Sequence, residues 1–152
     1  MKKFLKSFLY AGRGICCAFT ERNFRFHICA AAFVIFFAAS FYELTRAEWA
    51  VLLLTTGLVP ALEAVNTSIE RLADKVSTQQ DDNIRRCKDC AAAAVLIAAF
   101  AAVAVGISLF GDIERLCGIA EFYCGDIWRL VSLLLAVTAA VFLVLLPERL
   151  KK

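Results

Sequence analysis

The run CAAAAVLIAAFAAVAVGISLFG, Cys90 to Gly111, holds 22 residues without a charge. A helix needs about 20 largely apolar residues to cross the hydrocarbon layer of a bilayer, so this stretch predicts a membrane span. Working outward from it, His27 to Tyr42 and Leu130 to Pro147 are also uncharged, and Trp49 to Leu62 continues through Ala64 to Ile69 with one acid, Glu63, inside it. Four spans fit. The first two are a little short unless their flanks are helical too, and Pro60 with Gly57 is expected to bend the second, which neighbouring helices tolerate. The whole composition agrees: of 152 residues 61% are hydrophobic and 20% charged, with mean hydropathy +0.72. Soluble domains carry about 45 to 50% apolar and about 25% charged residues. An ordinary soluble enzyme and a disordered tail are excluded, and a net charge of +3 is far from the concentrated basic face of a nucleic-acid binder.

The segment before the first span lacks the cleavage pattern of a secretory signal and reads as a helix. At a helical period Lys2, Lys6, Tyr10 and Arg13 fall on one side, and Phe4, Leu5, Phe8, Ile15, Cys16 and Phe19 on the other. This predicts an amphipathic helix lying in the interface, weakened in its middle by Gly12 and Gly14. Lys and Arg set the orientation. Residues 1–27 carry six basic groups against Glu21, Arg71 to Lys88 carries five, and the tail Glu148, Arg149, Lys151, Lys152 is net +2. These segments are expected on the cytoplasmic side. The acidic connection Asp112 to Ile127 and the short one Glu43 to Glu48 are then external. The expected fold is all-α: a polytopic membrane helix bundle with an N-terminal interfacial helix and four spans.

Between Glu63 and Asp89 lies the stretch that carries chemistry. With Glu63 at 0° on a helix, Asn66 comes at about −60°, Glu70 at about −20° and Asp74 at about +20°, opposite Leu58, Val65, Ile69, Leu72 and Val76. An intramembrane carboxylate is costly, so Glu63 is a candidate functional residue by default. For Asp74 the wet face of a helix leaving the membrane is an equal reading. Glu21, where the surface helix gives way to the first span, lies on the same leaflet as Glu70. Two such carboxylates suit Mg²⁺, which binds through one or two carboxylates plus phosphate oxygens. From spacing alone Glu21 also reads as a helix-end charge paired with Arg22 or Arg25.

Other motifs are weak. No G-x-x-x-x-G-K-[ST] occurs, and Gly12-Arg13-Gly14 lacks the third glycine of a dinucleotide fingerprint. Cys87-Lys88-Asp89-Cys90 has the C-x-x-C spacing without a second pair, so packing thiols are expected. His27 is the one histidine, which removes histidine-based metal centres. The seven cysteines leave the redox compartment open, although Cys117 and Cys124 fall in the external connection, where an oxidising exterior could pair them.

Glu-Arg-Asn-Phe-Arg-x-His at 21–27, Glu-Ala-Val-Asn-Thr-Ser-Ile-Glu at 63–70, Asp74, and Lys-Asp-x-x-Ala-Ala-Ala-Val-Leu at 88–96 resemble the small bacterial diacylglycerol kinase and undecaprenol kinase family. The match runs from about Ser7 to Leu109. The resemblance implies a three-span lipid kinase of the bacterial inner membrane, usually a homotrimer with composite cytoplasmic sites, that passes the γ-phosphoryl group of ATP to a lipid alcohol. It implies Glu63 as the catalytic carboxylate and Glu21 and Glu70 as Mg²⁺ ligands. Nucleotide contacts are implied for Glu21, Glu70, Lys88, Asp89, Asn66 and Asp74, and for Tyr10 with a one-residue gap. The turn Gln79, Gln80, Asp81 departs from the family's common Glu-Tyr-His. Because diacylglycerol-preferring relatives usually show Glu-Ala-Ala-Phe-Arg at the first motif, undecaprenol is the expected acceptor, with diacylglycerol as the alternative.

Phosphoryl transfer is mostly positioning and electrostatic stabilisation, which the acidic stripe and Lys88 can supply without a phosphate-binding loop. A proton-coupled transporter subunit is the rival from another class, and it predicts a repeat symmetry between halves that the sequence does not carry. A fourth span lies outside the three-span pattern. The chain thus divides into a kinase membrane domain, 1–111, and an external loop with an extra helix, 112–152, expected to pack around the three-span core and adjust assembly or lipid access.

Overall fold

The computed structural model describes residues 2–76 and 81–146. Within them the chain forms six helices: α1 (Lys2–Ala18), α2 (Arg22–Phe41), α3 (Arg46–Val76), α4 (Asp82–Phe110), α5 (Ile113–Cys124) and α6 (Ile127–Leu145). No strand occurs among the described residues. α2, α3, α4 and α6 are each long and apolar enough to span a bilayer, so the four-span, all-α bundle expected from hydropathy is the fold. The tail from Pro147 and the Gln79–Gln80 turn lie outside the described residues.

Local chemistry starts most of these helices. Thr45 and Glu48 form a reciprocal capping box at α3: the Thr45 amide donates to Glu48 Oε2 at 2.7 Å, and the Glu48 amide to Thr45 Oγ1 at 3.3 Å. Asp81 caps α4 by accepting from the Asn83 and Ile84 amides, so this residue of the Gln79, Gln80, Asp81 turn has a helix-starting role. α3 continues unbroken through Pro60, whose missing N–H leaves the Thr56 carbonyl without its ladder partner.

At 31 residues, α3 is about 46 Å long, well beyond the roughly 30 Å hydrocarbon layer. Its last turns and the first turns of α4 therefore form a hairpin standing out of the apolar zone. Lower down, α3 and α4 pack through small and branched side chains. Val59, Val95 and Ala98 are buried together, with Leu62 and Ala102 against them. Alanine lets two backbones approach closely where lipid gives helices no hydrophobic reason to associate.

The opposite end is held differently. Tyr42 is buried, its hydroxyl donates to the Phe110 carbonyl at 3.3 Å, and its ring meets the Phe110 ring at 4.8 Å. Phe37 and Phe41 extend this aromatic group to Phe110, Phe122 and Tyr123. It ties α2 to α4 and to α5, an arrangement suited to the amphipathic depth where aromatic rings collect.

α5 corrects one expectation. The connection between the third and fourth spans is a 12-residue helix rather than a loop, capped by Asp112, which accepts from the Arg115 amide at 3.2 Å. Ile113, Leu116, Cys117 and Ala120 recur at helical spacing, a periodicity that charge counting passes over. Seven residues apart on one helix, the Cα atoms of Cys117 and Cys124 lie about 10 Å apart, beyond the roughly 7 Å limit for a disulfide. Both are free thiols.

α6 packs on α2 and α5 and buries no residue fully. Exposed Leu134, Leu135, Val141 and Phe142 make an apolar surface that only lipid or another apolar partner can cover. Its C-terminal end returns to the Glu21 end of the bundle, where its last carbonyls meet Arg25.

Candidate functional site

The acids gather where α3 leaves the apolar layer beside the α1–α2 turn. After Ala18 the chain reverses through two short bonds, from the Thr20 amide to the Cys17 carbonyl at 3.2 Å and from the Glu21 amide to the Ala18 carbonyl at 3.0 Å. Phe19 and Phe24 meet edge to face across this turn at 5.1 Å. Glu21 thereby stands at the head of α2, with no capping bond from its side chain to that helix, and is free to reach α3.

Arg71 of α3 meets it there. The guanidinium donates to Glu21 Oε1 at 2.7 Å and to Thr20 Oγ1 at 2.9 Å, and it also contacts the Cys17 thiol. Glu70, adjacent in sequence, accepts from Asn66 Nδ2 at 3.0 Å. Asn66 is 6% exposed, and its Oδ1 has no hydrogen-bond partner among the described residues. Glu63 is 4% exposed. It lies within electrostatic reach of His27, Glu70 and Glu21 and beside Asn23, so the sequence stripe and the α1–α2 turn meet in one place.

Further out on the hairpin, Lys88 Nζ donates to Asp74 Oδ1 at 2.8 Å. Asp89 is exposed beside Lys88. Tyr10 stands apart: it is 63% exposed on α1, with the Arg13 guanidinium 6.0 Å from its ring centre. Of the residues singled out by sequence, Glu21, Glu63, Asn66 and Glu70 come together, Asp74 and Lys88 form a second pair, and Tyr10 joins neither. Arg71 and Arg25 contact the same turn, and the sequence marks Arg71 only as positive charge and Arg25 only as a salt-bridge option for Glu21.

An apolar cleft of about 360 Å³ lies between α2, α3 and α4. His27, Ala31, Leu52, Thr56 and Val59 line it, so it begins at the histidine nearest Glu63 and runs into the bilayer zone. Glu21, Glu70 and the unpartnered Asn66 oxygen are hard oxygen donors. Among the described residues no three His, Cys, Asp or Glu side chains converge to hold a metal by themselves. Oxygen donors of this kind suit Mg²⁺, which draws its remaining ligands from water and phosphate, rather than a caged metal; in this structure Glu21 Oε1 is engaged by Arg71.

Fold and site together define a multi-pass helical membrane protein with an acid cluster at the rim of its apolar layer. The family model of prokaryotic diacylglycerol kinase matches residues 9–110, which covers α2 to α4, most of α1 and all the acids above. The chain belongs to that family and is a membrane lipid kinase. It is 38% identical over 111 residues to an undecaprenol kinase of Bacillus subtilis, covering 72% of this chain and 89% of that protein. It is 47% identical over 104 residues to a diacylglycerol kinase of Synechocystis, covering 67% of this chain and 59% of that one. A diacylglycerol kinase of Helicobacter pylori is 34% identical over 97 residues, covering 63% of this chain and 75% of that protein. No solved structure matches the chain. α5 and α6 lie beyond the family match.

Proposed function

We propose that the protein transfers the γ-phosphoryl group of ATP to the hydroxyl of undecaprenol, at a site on the cytoplasmic side of the bacterial inner membrane. The observation that carries this reading is Glu63, a carboxyl group 4% exposed on a membrane helix, with His27, Glu70 and Glu21 within electrostatic reach of it. A buried carboxylate at the depth of a lipid headgroup is suited to general base catalysis. Glu63 takes the proton of the lipid hydroxyl, the oxygen attacks the γ-phosphorus, and the bond to ADP breaks. Glu21 and Glu70 would hold Mg²⁺, which would offset charge on the phosphates. Lys88 and Asp89 contact the nucleotide, Lys88 as a point charge on phosphate, with Asn66 and Asp74 completing the polar lining and Tyr10 contributing from α1. The cleft below His27 accommodates the start of the hydrocarbon chain. Three copies assemble in the membrane, as the family resemblance implies.

The choice of undecaprenol rests on the Glu-Arg-Asn-Phe-Arg run and on the 89% coverage of the Bacillus enzyme. Diacylglycerol is the second reading, favoured by the higher identity to the Synechocystis enzyme. The test is purified protein with labelled ATP, Mg²⁺ and a panel of undecaprenol, diacylglycerol and other lipid alcohols. Label in undecaprenyl phosphate is expected; label chiefly in phosphatidic acid selects the second reading.

A further inference from the structure

Arg25 is 5% exposed, and its charge is met by four carbonyl oxygens from two distant parts of the chain. Nη1 donates to the Phe19 and Thr20 carbonyls, both at 2.9 Å. Nη2 donates to the Val144 carbonyl at 3.0 Å and the Leu146 carbonyl at 2.6 Å. The first two carbonyls directly follow α1, and the second two belong to the end of α6. The last carbonyls of a helix lack intrahelical partners, and the helix dipole favours a cation beside them. One planar guanidinium thus closes two helix ends at once, with donors in a fork that an ammonium does not reproduce.

We propose that Arg25 is a positioning residue, through which α6 fixes the Phe19–Thr20–Glu21 turn that presents Glu21 to α3. The turn has two supports of different origin. Arg71 grips its side chains, Thr20 and Glu21, from α3. Arg25 grips its backbone, and half of Arg25's own bonds come from a helix beyond the family match. Removing the carbonyls of α6 leaves a buried charge half-satisfied, a costly state that the turn relieves by shifting. α6 is therefore a brace for the metal-ligand side of the site. The effect on turnover rests on the role proposed for Glu21; the effect on the turn does not.

The test uses full-length protein in lipid nanodiscs, with two readouts. Hydrogen exchange reports on the amides of residues 19–21 and of residues 142–146, and Mn²⁺ resonance reports metal binding in the presence of ATP. Arg25→Gln is expected to speed exchange at both segments and to weaken Mn²⁺ binding, each by about tenfold, the effect of losing charge-assisted hydrogen bonds. Arg25→Lys is expected to fall between, since an ammonium satisfies one helix end at a time. Ala140→Trp keeps Arg25 but wedges the α2–α6 seam that Ala140 lines with Phe26 and Ala30, and it decides the matter if Arg25→Gln fails to fold. Faster exchange at residues 19–21 in Ala140→Trp supports the brace. Exchange that rises at residues 142–146 alone, with Mn²⁺ binding unchanged, overturns it. If the turn loosens while wild-type protein phosphorylates no lipid, the kinase reading of Glu21 fails and the brace stands.

Discussion

Lys88 Nζ lies 2.8 Å from Asp74 Oδ1, joining the end of α3 to the second turn of α4 outside the apolar layer. Both side chains are substantially exposed, so the pair is screened and contributes little to folding. Under the proposed function the pair holds an ammonium in place for the polyphosphate of ATP. Lys88→Met is expected to leave thermal unfolding unchanged while raising the KM for ATP by roughly tenfold or more, the loss of one charged hydrogen bond. A matching fall in melting temperature would show a structural role instead.

Glu63→Gln keeps the shape of the buried side chain and removes the proton acceptor. Phosphoryl transfer is expected to fall by about 10² to 10⁴, the usual contribution of a positioned base, with nucleotide affinity nearly unchanged. Near-normal turnover in this variant rules out Glu63 as the base. The check is single-turnover transfer alongside equilibrium binding of a nucleotide analogue.

Glu21→Gln and Glu70→Gln act differently, because each removes a carboxylate suited to a divalent cation. The Mg²⁺ concentration for half-maximal activity is expected to rise about tenfold or more in either variant. The measurement is a Mg²⁺ titration at fixed ATP, and an unchanged midpoint removes that residue from the metal site.

In the α3–α4 seam, Ala98 is buried against Val59. Ala98→Leu inserts three carbons where the backbones approach closely, and overpacking of this kind costs about 1 to 3 kcal/mol. Thermal or detergent unfolding in nanodiscs measures it. A neutral result would mean that the seam opens easily.

Cysteine labelling reads the topology. An impermeant maleimide on intact cells is expected to reach Cys117 and Cys124 on α5 and to leave Cys16 and Cys17 on α1 unlabelled until lysis. Both α5 thiols are expected to react without prior reduction, since the helix holds them too far apart to bridge. Labelling of Cys16 or Cys17 before lysis inverts the orientation.

Much of the fold was legible because hydropathy acts locally. Uncharged runs became α2, α3, α4 and α6, and the angular spacing of Glu63, Asn66 and Glu70 was already a line on one helix. The meeting of Glu21 with α3 was suggested by leaflet assignment, but its agent, Arg71, lies 50 residues away. The Arg25 contact spans 121 residues to Leu146. No periodicity encodes such pairs: a positive charge in sequence looks the same whether it faces water, an acid or a helix end. α5 is hidden for a different reason: its apolar spacing is present in the sequence, but the acidic charge of the segment points to a loop.

The placement of Glu63 along α3 has a consequence for the lipid around the protein. From Trp49 to Leu62 there are 14 uncharged residues, about 21 Å of helix, against a hydrocarbon layer of roughly 30 Å. That uncharged run alone falls short of the layer, and α3 crosses it only by counting on through Glu63 to Ile69, so the membrane thins locally or its tails press against the buried carboxyl and its cover on α2. Accommodating such mismatch costs fractions of a kcal/mol per Å. Acyl-chain length in the surrounding bilayer is thus expected to set the register between Glu63 and the headgroup plane.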